Sequence, residues 1–517
     1  MTFPRASGIL LHPTSLPGRF GIGDLGDEAY RFADFLVAGG QSLWQMLPLG
    51  PTGYGGSPYA CYSAFAGNTL LISPERLFDQ GLLTRAEFDE IPSLPAERVD
   101  FEQAHKTKDL ILDKAFTHYQ QRRDTELRGE FESFAEQNAS WLDDYALFQA
   151  LKEAHGGVAW HEWERSLVAR ERSAIARARG QLHTQIEAHK FFQFLFFKQW
   201  FALKTYCNER NISLIGDLPI FVAQDSADVW TSPDQFKLDA EKRPTVVAGV
   251  PPDYFSETGQ FWGNPLYNWD AMGTAGFCWW IERVRATLKI VDIARIDHFR
   301  GFAACWEIPA GDKTAERGRW VEVPGRELFA AIRKACGELP IIAEDLGVIT
   351  PDVAELRDDC GFPGMRILQF GFSSDMENVN LPHNYQRHVV AYTGTHDNDT
   401  AVGWFNSIGG AGSTRTDEQI ETEREFCLKY LNTTGAEIHW DFIRAVLQSV
   451  ADTAVVPLQD VLGIGSEGRM NVPNTTEGNW SWRFTADALT DAHSERLRDL
   501  SEECGRMVSR LPKVEVG

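Results

Sequence analysis

The sequence predicts an α/β fold, a (β/α)₈ TIM barrel with inserted subdomains and no C-terminal β domain. Three observations lead to this prediction. The 517 residues are too many for one small domain but suit one large barrel with insertions. Eight short apolar runs each end in a polar cluster, as expected of parallel strands that are buried on both faces. Helix-like segments alternate with these runs, which indicates a parallel sheet, and eight such units suggest a closed barrel.

The predicted strands follow one another along the whole chain. They are 7–11, 42–49, 212–218, 291–296, 340–343, 366–372, 389–392 and 454–458. About 60 residues follow the last run, enough for a helix and a loop but not for a β domain.

Two long gaps interrupt this regular pattern. Residues 84–187 are charged and helix-like, so we predict an inserted, mainly helical subdomain over 75–200. Ser140 and Asp143 resemble a capping box for one of its helices, which Gly156 and Gly157 would end. Residues 222–272 are rich in Pro, Gly, Asp and aromatic residues, and a connection this long usually has a function. We predict that this second gap is an inserted binding-loop region.

Composition excludes several classes of function. With 50 Lys and Arg against 73 Asp and Glu, the net charge of −23 argues against binding to nucleic acid or to an anionic membrane. The first residues do not resemble a secretory signal, and the most apolar segment, 191–201, is interrupted by Gln and Lys. The eight cysteines form no CxxC pair, so no metal site is indicated. We expect a cytoplasmic protein without a metal or an organic cofactor.

Carboxylates lie at the C-terminal ends of four of the predicted strands. GDLP at 216–219 contains Asp217, RIDHFRG at 295–301 contains Asp297, AEDLG at 343–347 contains Glu344, and GTHDNDT at 394–400 contains Asp397. Any single one of these could be a helix N-cap, since Asp is common where a strand turns into a helix. Acids after several strands, together with Arg295 and His396, indicate instead an active site at the C-terminal ends of the strands.

Paired carboxylates with opposite protonation states are typical of glycoside chemistry. Arg295 lies two residues before Asp297, hence on the same face of a strand, and should keep Asp297 ionised with a low pKa. Glu344 follows apolar Ile341 and Ile342, and such surroundings should raise its pKa toward that of a working acid. The sequence contains no GxxxxGK[ST] loop or GxSxG elbow, and its two GxGxxG matches lie outside a strand-to-helix context.

The clusters resemble those of the amylomaltases, the 4-α-glucanotransferases of glycoside hydrolase family 77, which are relatives of the α-amylases. The matching motifs cover nearly the whole chain: SGILLHPTSLP (7–17), QMLPLGPT (45–52), SPY (57–59), SAFAGN (63–68), GVPPDYF (249–255), WGNPLY (262–267) and TTEGNW (475–480). The resemblance implies one catalytic barrel over 1–517, with Asp297 as nucleophile, Glu344 as acid/base and Asp397 as transition-state stabiliser. It further implies substrate-binding residues, namely Tyr59, Asp217, Arg295 and His396 around the donor sugar, and Tyr254, Phe255 and Trp262 on the acceptor side.

The implied substrates are maltooligosaccharides, amylose or glycogen-derived α-1,4-glucans, which act as donor and as acceptor. Two alternatives remain open at this point. An α-amylase-like hydrolase of α-1,4-glucans would use the same carboxylates, although the loop motifs favour transfer. A carbohydrate-binding protein on a decayed barrel is disfavoured because all three acids are present.

Overall fold

The computed structural model describes residues 3–122, 124–252, 258–408, 415–475 and 477–507. The strands are β1 (Ala6–Leu10), β2 (Leu43–Gln45), β3 (Ser213–Leu218), β4 (Val246–Val250), β5 (Gln260–Pro265), β6 (Ile293–Ile296), β7 (Ala304–Pro309), β8 (Arg319–Glu322), β9 (Ile341–Ala343), β10 (Gly364–Ile367), β11 (Val389–Tyr392) and β12 (Thr453–Pro457). The helices are α1 (Asp27–Ala38), α2 (Pro74–Asp79), α3 (Arg85–Asp89), α4 (Phe101–Gln121), α5 (Thr125–Gln137), α6 (Ala139–Ala154), α7 (Arg165–Val168), α8 (Arg172–Gln181), α9 (His183–Glu209), α10 (Ala227–Thr231), α11 (Trp269–Thr274), α12 (Cys278–Ile290), α13 (Gly325–Cys336), α14 (Pro351–Cys360), α15 (Ala401–Asn406), α16 (Asp417–Leu431), α17 (Ile438–Gln448), α18 (Leu458–Leu462) and α19 (Asp491–Glu503).

Eight parallel strands form the barrel, in the order β10-β11-β12-β1-β2-β3-β6-β9. Each of the eight predicted runs overlaps one of these strands, so the predicted barrel is confirmed. The sixth run differs in extent, because the strand ends at Ile367 and 368–371 form a 3₁₀ turn. At this point the N–H of Ile367 donates to the side chain of Asn380 instead of to a neighbouring strand.

The two end strands of the sheet, β9 and β10, meet without a regular ladder. The N–H of Ala343 donates to the Pro363 carbonyl at 2.9 Å. The carboxylate of Asp345, just after β9, accepts the N–H of Met365 at 2.6 Å and the guanidinium of Arg357 at 2.5 Å. A buried side chain thus completes the seam of the barrel beside Glu344, where strand pairing is sparse.

The chain between β2 and β3 is helical, from α2 to α9. Helix α6 begins at Ala139 with Asn138 as its N-cap, so the predicted cap at Ser140 is wrong. The Asn138 side chain accepts the indole N–H of Trp141 and donates to the Phe134 carbonyl, which links the ends of α5 and α6. The apolar segment 191–201 lies inside α9, and no helix in the described ranges is long and apolar enough to cross a membrane.

A second, antiparallel sheet has the strand order β5-β4-β7-β8. The predicted loop region 222–272 therefore contains regular structure, and its sheet is completed by the segment between β6 and β9. Gly249 of β4 permits close approach of the strands, since a Cβ there would lie 2.2 Å from the Gln260 carbonyl oxygen. This sheet lies beside the C-terminal ends of β3 and β6, because Trp262 of β5 contacts Phe221 and His298. Among the described residues that follow β12, no strand of either sheet occurs.

Candidate active site

Four acids lie at the same rim of the barrel, as the sequence predicts. Asp217 is near the end of β3, and Asp297, Glu344 and Asp397 follow β6, β9 and β11. Two backbone bonds extend the sheet at this rim, since the N–H of Asp297 donates to Leu218 and the N–H of Glu344 to Ile296. Because neighbouring parallel strands lie about 4.8 Å apart, Asp297 and Glu344 emerge side by side.

Arg295 links two of these carboxylates. It is the register partner of Asp217 on the adjacent strand, and its Nη1 donates to Asp217 Oδ1 and Oδ2 at 2.7 and 2.6 Å. The same nitrogen donates to Asp297 Oδ1 at 3.1 Å. The side chains of Asp217 and Arg295 are buried, whereas that of Asp297 remains 29% exposed. Asp217 is thus neutralised by the arginine, and Asp297 keeps an oxygen open to the cleft.

The pKa of Asp297 is raised well above its usual value, so the expectation of a low pKa beside Arg295 is wrong. Burial is the largest cause, and the negative charges of Asp217, Glu344 and Asp397 add to it. Arg295 does favour the ionised form, but its charge is already shared with Asp217.

Glu344 is held by two backbone donors. The N–H of His298 donates to Oε2 at 2.6 Å, and the N–H of Leu346 donates to Oε1 at 2.8 Å. Burial raises the pKa of Glu344 against the opposing effects of Arg295 and these two N–H groups, which confirms the expected direction. The negative charge of Glu344 is one of the causes that raise the pKa of Asp297, so ionisation of one of these two carboxyl groups opposes ionisation of the other.

Tyr59 connects the acids to His396. Its hydroxyl donates to Asp217 Oδ2 at 2.7 Å and lies 2.9 Å from His396 Nε2. The two rings are stacked with centroids 5.3 Å apart, and the Trp480 ring lies 5.7 Å from Tyr59. Burial lowers the pKa of His396, which favours the neutral imidazole. The sequence identified Tyr59 and His396 but gave no role to Trp480, which comes from a distant segment.

Asp397 is more exposed than Asp217 and Asp297, at 45% of its side chain. Asn471 Nδ2 donates to its Oδ1 at 2.7 Å, and His396 Nε2 lies 3.4 Å from its Oδ2. Arg469 donates to its backbone carbonyl at 2.8 Å. Sequence reasoning missed Asn471 and Arg469, although they follow the eighth strand and thus belong to the same rim.

Trp262 lies on the side of Glu344. Its ring is perpendicular to that of His298, with centroids 4.8 Å apart, and 37% of the residue is exposed. The structure therefore brings together eight of the ten predicted site residues. The other two, Tyr254 and Phe255, lie outside the described residues. Within the described ranges, no group of three or more His, Cys, Asp or Glu side chains could hold a metal ion.

Comparison with known proteins identifies the family. The family model described as 4-alpha-glucanotransferase, of glycoside hydrolase family 77, matches residues 11–490. The 4-alpha-glucanotransferases of Synechocystis sp. and Thermus thermophilus are 51% and 50% identical over 508 and 515 residues, covering 98% of this chain and 98% and 100% of theirs. The structure of Streptococcus agalactiae amylomaltase in complex with acarbose is 40% identical with a TM-score of 0.92, over 97% of this chain and 99% of that one.

A more distant relative shows the same fold. The Corynebacterium glutamicum amylomaltase structure aligns with a TM-score of 0.76 at 18% identity, over 98% of this chain and 75% of that one. Together with the four acids at one rim of the barrel, the family model and the full-length relatives show that the chain belongs to glycoside hydrolase family 77, the 4-α-glucanotransferases.

Proposed function

We propose that this chain transfers segments of α-1,4-glucan to the 4-hydroxyl of another glucan or of glucose by a retaining double displacement. The transferase activity follows from the family, and relatives that match nearly the whole chain bear that name. Maltooligosaccharides, amylose and glycogen-derived glucans are the substrate class, both as donors and as acceptors. The related amylomaltase of Streptococcus agalactiae is known in complex with acarbose.

In the first step, a carboxylate oxygen of Asp297 attacks the anomeric carbon of the donor. The bond from that carbon to the glycosidic oxygen breaks, and Glu344 gives its proton to the departing oxygen. In the second step, Glu344 takes the proton from the 4-hydroxyl of the acceptor, whose oxygen displaces Asp297. Two inversions return the original configuration, and Glu344 ends protonated as it began.

One observation carries this assignment: Glu344 is hydrogen-bonded to the N–H of the residue that follows Asp297. This contact joins the ends of adjacent strands, whose backbones lie about 4.8 Å apart. Such an arrangement supports a retaining mechanism, which needs two carboxyl groups only about 5–5.5 Å apart. Arg295 donates to Asp297 and so favours the ionised form of the proposed nucleophile, whereas burial favours the protonated form of Glu344. The pair can therefore hold one nucleophile and one acid.

The surrounding side chains suit the recognition of a sugar at the cleaved bond. Asp397 has an open carboxylate for sugar hydroxyls, and His396 and Tyr59 form a flat wall beside it. Asp217 and Arg295 add buried charge behind that wall. We assign these residues to the donor sugar and Trp262 to the acceptor.

The two insertions receive roles of their own in this proposal. Residues 222–272 bind substrate, and Tyr254 and Phe255 within them close over the acceptor and shield the covalent intermediate from water. Residues 75–200 form the helical subdomain. We place the protein in the cytoplasm, where the eight cysteines, all of them free in the structure, would stay reduced.

Incubation with maltotriose alone tests the function. Transfer gives glucose together with a ladder of longer oligosaccharides, which chromatography resolves. Maltose and glucose alone would indicate hydrolysis, and unchanged maltotriose would indicate a binding protein; either result contradicts the proposal.

A further inference from the structure

An exposed tryptophan lies on the antiparallel sheet, beyond the catalytic acids. Trp320 of β8 is 40% exposed although it is a large apolar side chain. The guanidinium carbon of Arg300 lies 3.8 Å from the centre of its ring, and Trp306 packs against it edge-on at 5.2 Å. The indole is therefore held in place from two sides and still presents surface to solvent.

Both loops that carry the acid pair meet at this tryptophan. Arg300 follows Asp297 by three residues, and its Nη1 donates at 2.5 Å to the backbone carbonyl of Val348, four residues after Glu344. The Val348 side chain is 69% exposed. We call Trp320, Arg300 and Val348 the Trp320 platform. The platform is connected to the active-site rim twice, by the three residues that lead from Asp297 to Arg300 and by the four that lead from Glu344 to Val348.

The direction of the bound glucan follows from the position of the acid. Glu344 must reach the oxygen between the donor and the acceptor sugar, so the acceptor leaves the site on the Glu344 side. Tyr59, His396 and Asp397 form a connected group that is hydrogen-bonded to Asp217 and Asn471. We assign this group to the donor side. On leaving Glu344, the bound glucan first meets Trp262, which contacts His298. Two residues after His298, in the loop that follows β6, Arg300 contacts Trp320. The platform therefore lies where an acceptor chain continues.

The chemistry of the platform suits a neutral sugar. A glucose ring has apolar C–H faces that pack on an aromatic ring and hydroxyls that need polar partners. In the described part of the chain, the indole N–H of Trp320 has no hydrogen-bond partner, so it is available to a hydroxyl. Exposed apolar surface beside a catalytic cleft commonly marks ligand contact.

We propose that the Trp320 platform is a remote acceptor subsite that binds the glucan beyond the sugar contacted by Trp262. This inference rests on the proposed transferase function and extends it, because it makes the enzyme select acceptors by their length. Short acceptors do not reach the platform, whereas longer ones gain contact with it.

Transfer kinetics with acceptors of increasing length test the proposal. At one fixed donor concentration, the apparent kcat/KM is measured for glucose, maltose, maltotriose, maltotetraose and maltoheptaose. For Trp320→Ala, we expect the ratio of kcat/KM for maltoheptaose to that for glucose to fall about 5- to 20-fold, mainly through KM. Trp320→Phe retains an aromatic face and should recover part of the ratio.

A matched control is Tyr206→Ala. Tyr206 also carries a stacked guanidinium, that of Arg210 at 3.4 Å, but it lies near the end of α9, which precedes the start of β3 at the other end of the barrel. This variant should keep the wild-type ratio. Loss of the same factor with every acceptor, or no loss with any, would overturn the proposal. If the wild type makes no transfer product at all, the failure lies in the proposed function instead.

Discussion

The backbone N–H of His298 donates to Glu344 Oε2 at 2.6 Å, so the residue next to Asp297 holds the Glu344 side chain. His298 has φ of 50°, in the left-handed region that few side chains adopt without cost. The turn there ends β6 and directs the N–H toward Glu344. The position of Glu344 relative to Asp297 therefore depends in part on the backbone conformation of His298.

Two substitutions at His298 distinguish the contribution of its backbone conformation from that of its imidazole ring. Asn tolerates the left-handed conformation, whereas a β-branched residue does not. We expect His298→Asn to raise KM, because the contact with Trp262 is lost, with little change in kcat. His298→Val should lower kcat about tenfold or more below the Asn variant, since strain displaces the N–H. Steady-state kinetics measure both values, and equal kcat in the two variants would contradict this view.

The strands and the acids could be predicted because both depend on local sequence. A buried parallel strand is a short apolar run, and an acid that ends such a run must lie at the rim. The contacts of Asp397 could not be predicted, because Asn471 is 74 residues away and reaches it only through the order of strands around the barrel. The prediction of a low pKa for Asp297 was wrong for the same reason. Local spacing reveals Arg295 but not the other three carboxylates.

The antiparallel sheet also escaped prediction. Its strands come from two segments that β6 separates along the chain, so neither segment alone shows the pattern of a sheet. Glycines and prolines around β4 indicate a loop, whereas Gly249 is there because the strands approach closely.

The Asp297→Asn variant should lose at least about 1,000-fold in kcat while keeping its fold and its affinity for glucan. An amide of the same shape retains contacts but cannot attack the anomeric carbon. Turnover of maltotriose and calorimetric binding of the same sugar measure the two properties. Near wild-type turnover would show that another residue is the nucleophile.

Two substitutions at Tyr59 distinguish the contribution of its hydroxyl hydrogen bonds from that of its aromatic ring. Tyr59→Phe keeps the stack on His396 but removes the donor to Asp217, and we expect kcat/KM to fall about tenfold. Tyr59→Ala should lose a further several-fold, because the aromatic wall is gone. Tyr430→Phe is a control, since its hydroxyl bonds His383 at the surface. If Phe and Ala at position 59 cost the same, the hydroxyl alone matters.

Buried His12 should make stability depend on pH. Burial lowers its pKa to about 3 from an ordinary value of 6.5, and its Nδ1 has no partner among the described residues. Below about pH 6.5, the unfolded chain takes up a proton that the folded one refuses, so stability falls as pH falls toward about 3. His12→Gln should remove up to about 1.4 kcal/mol of this loss per pH unit. Urea unfolding of both proteins at pH 5.5 and 6.5 measures this change in the free energy of unfolding. From pH 7.5 to 8.5, the difference in the free energy of unfolding between variant and wild type should stay constant.

Asp345 should stabilise the barrel seam far more than its neighbour Asp358, although both bind Arg357. Asp345 is buried and also accepts the N–H of Met365, whereas the side chain of Asp358 is 65% exposed. Asp345→Asn leaves Arg357 and Arg366 against a neutral amide, and we expect the free energy of unfolding to drop by about 3–5 kcal/mol. Asp358→Asn should cost at most about 1 kcal/mol. Because Asp345 directly follows Glu344, its variant should also lower kcat, whereas the Asp358 variant should not. Equal losses of stability in urea unfolding would mean that the seam holds without this carboxylate.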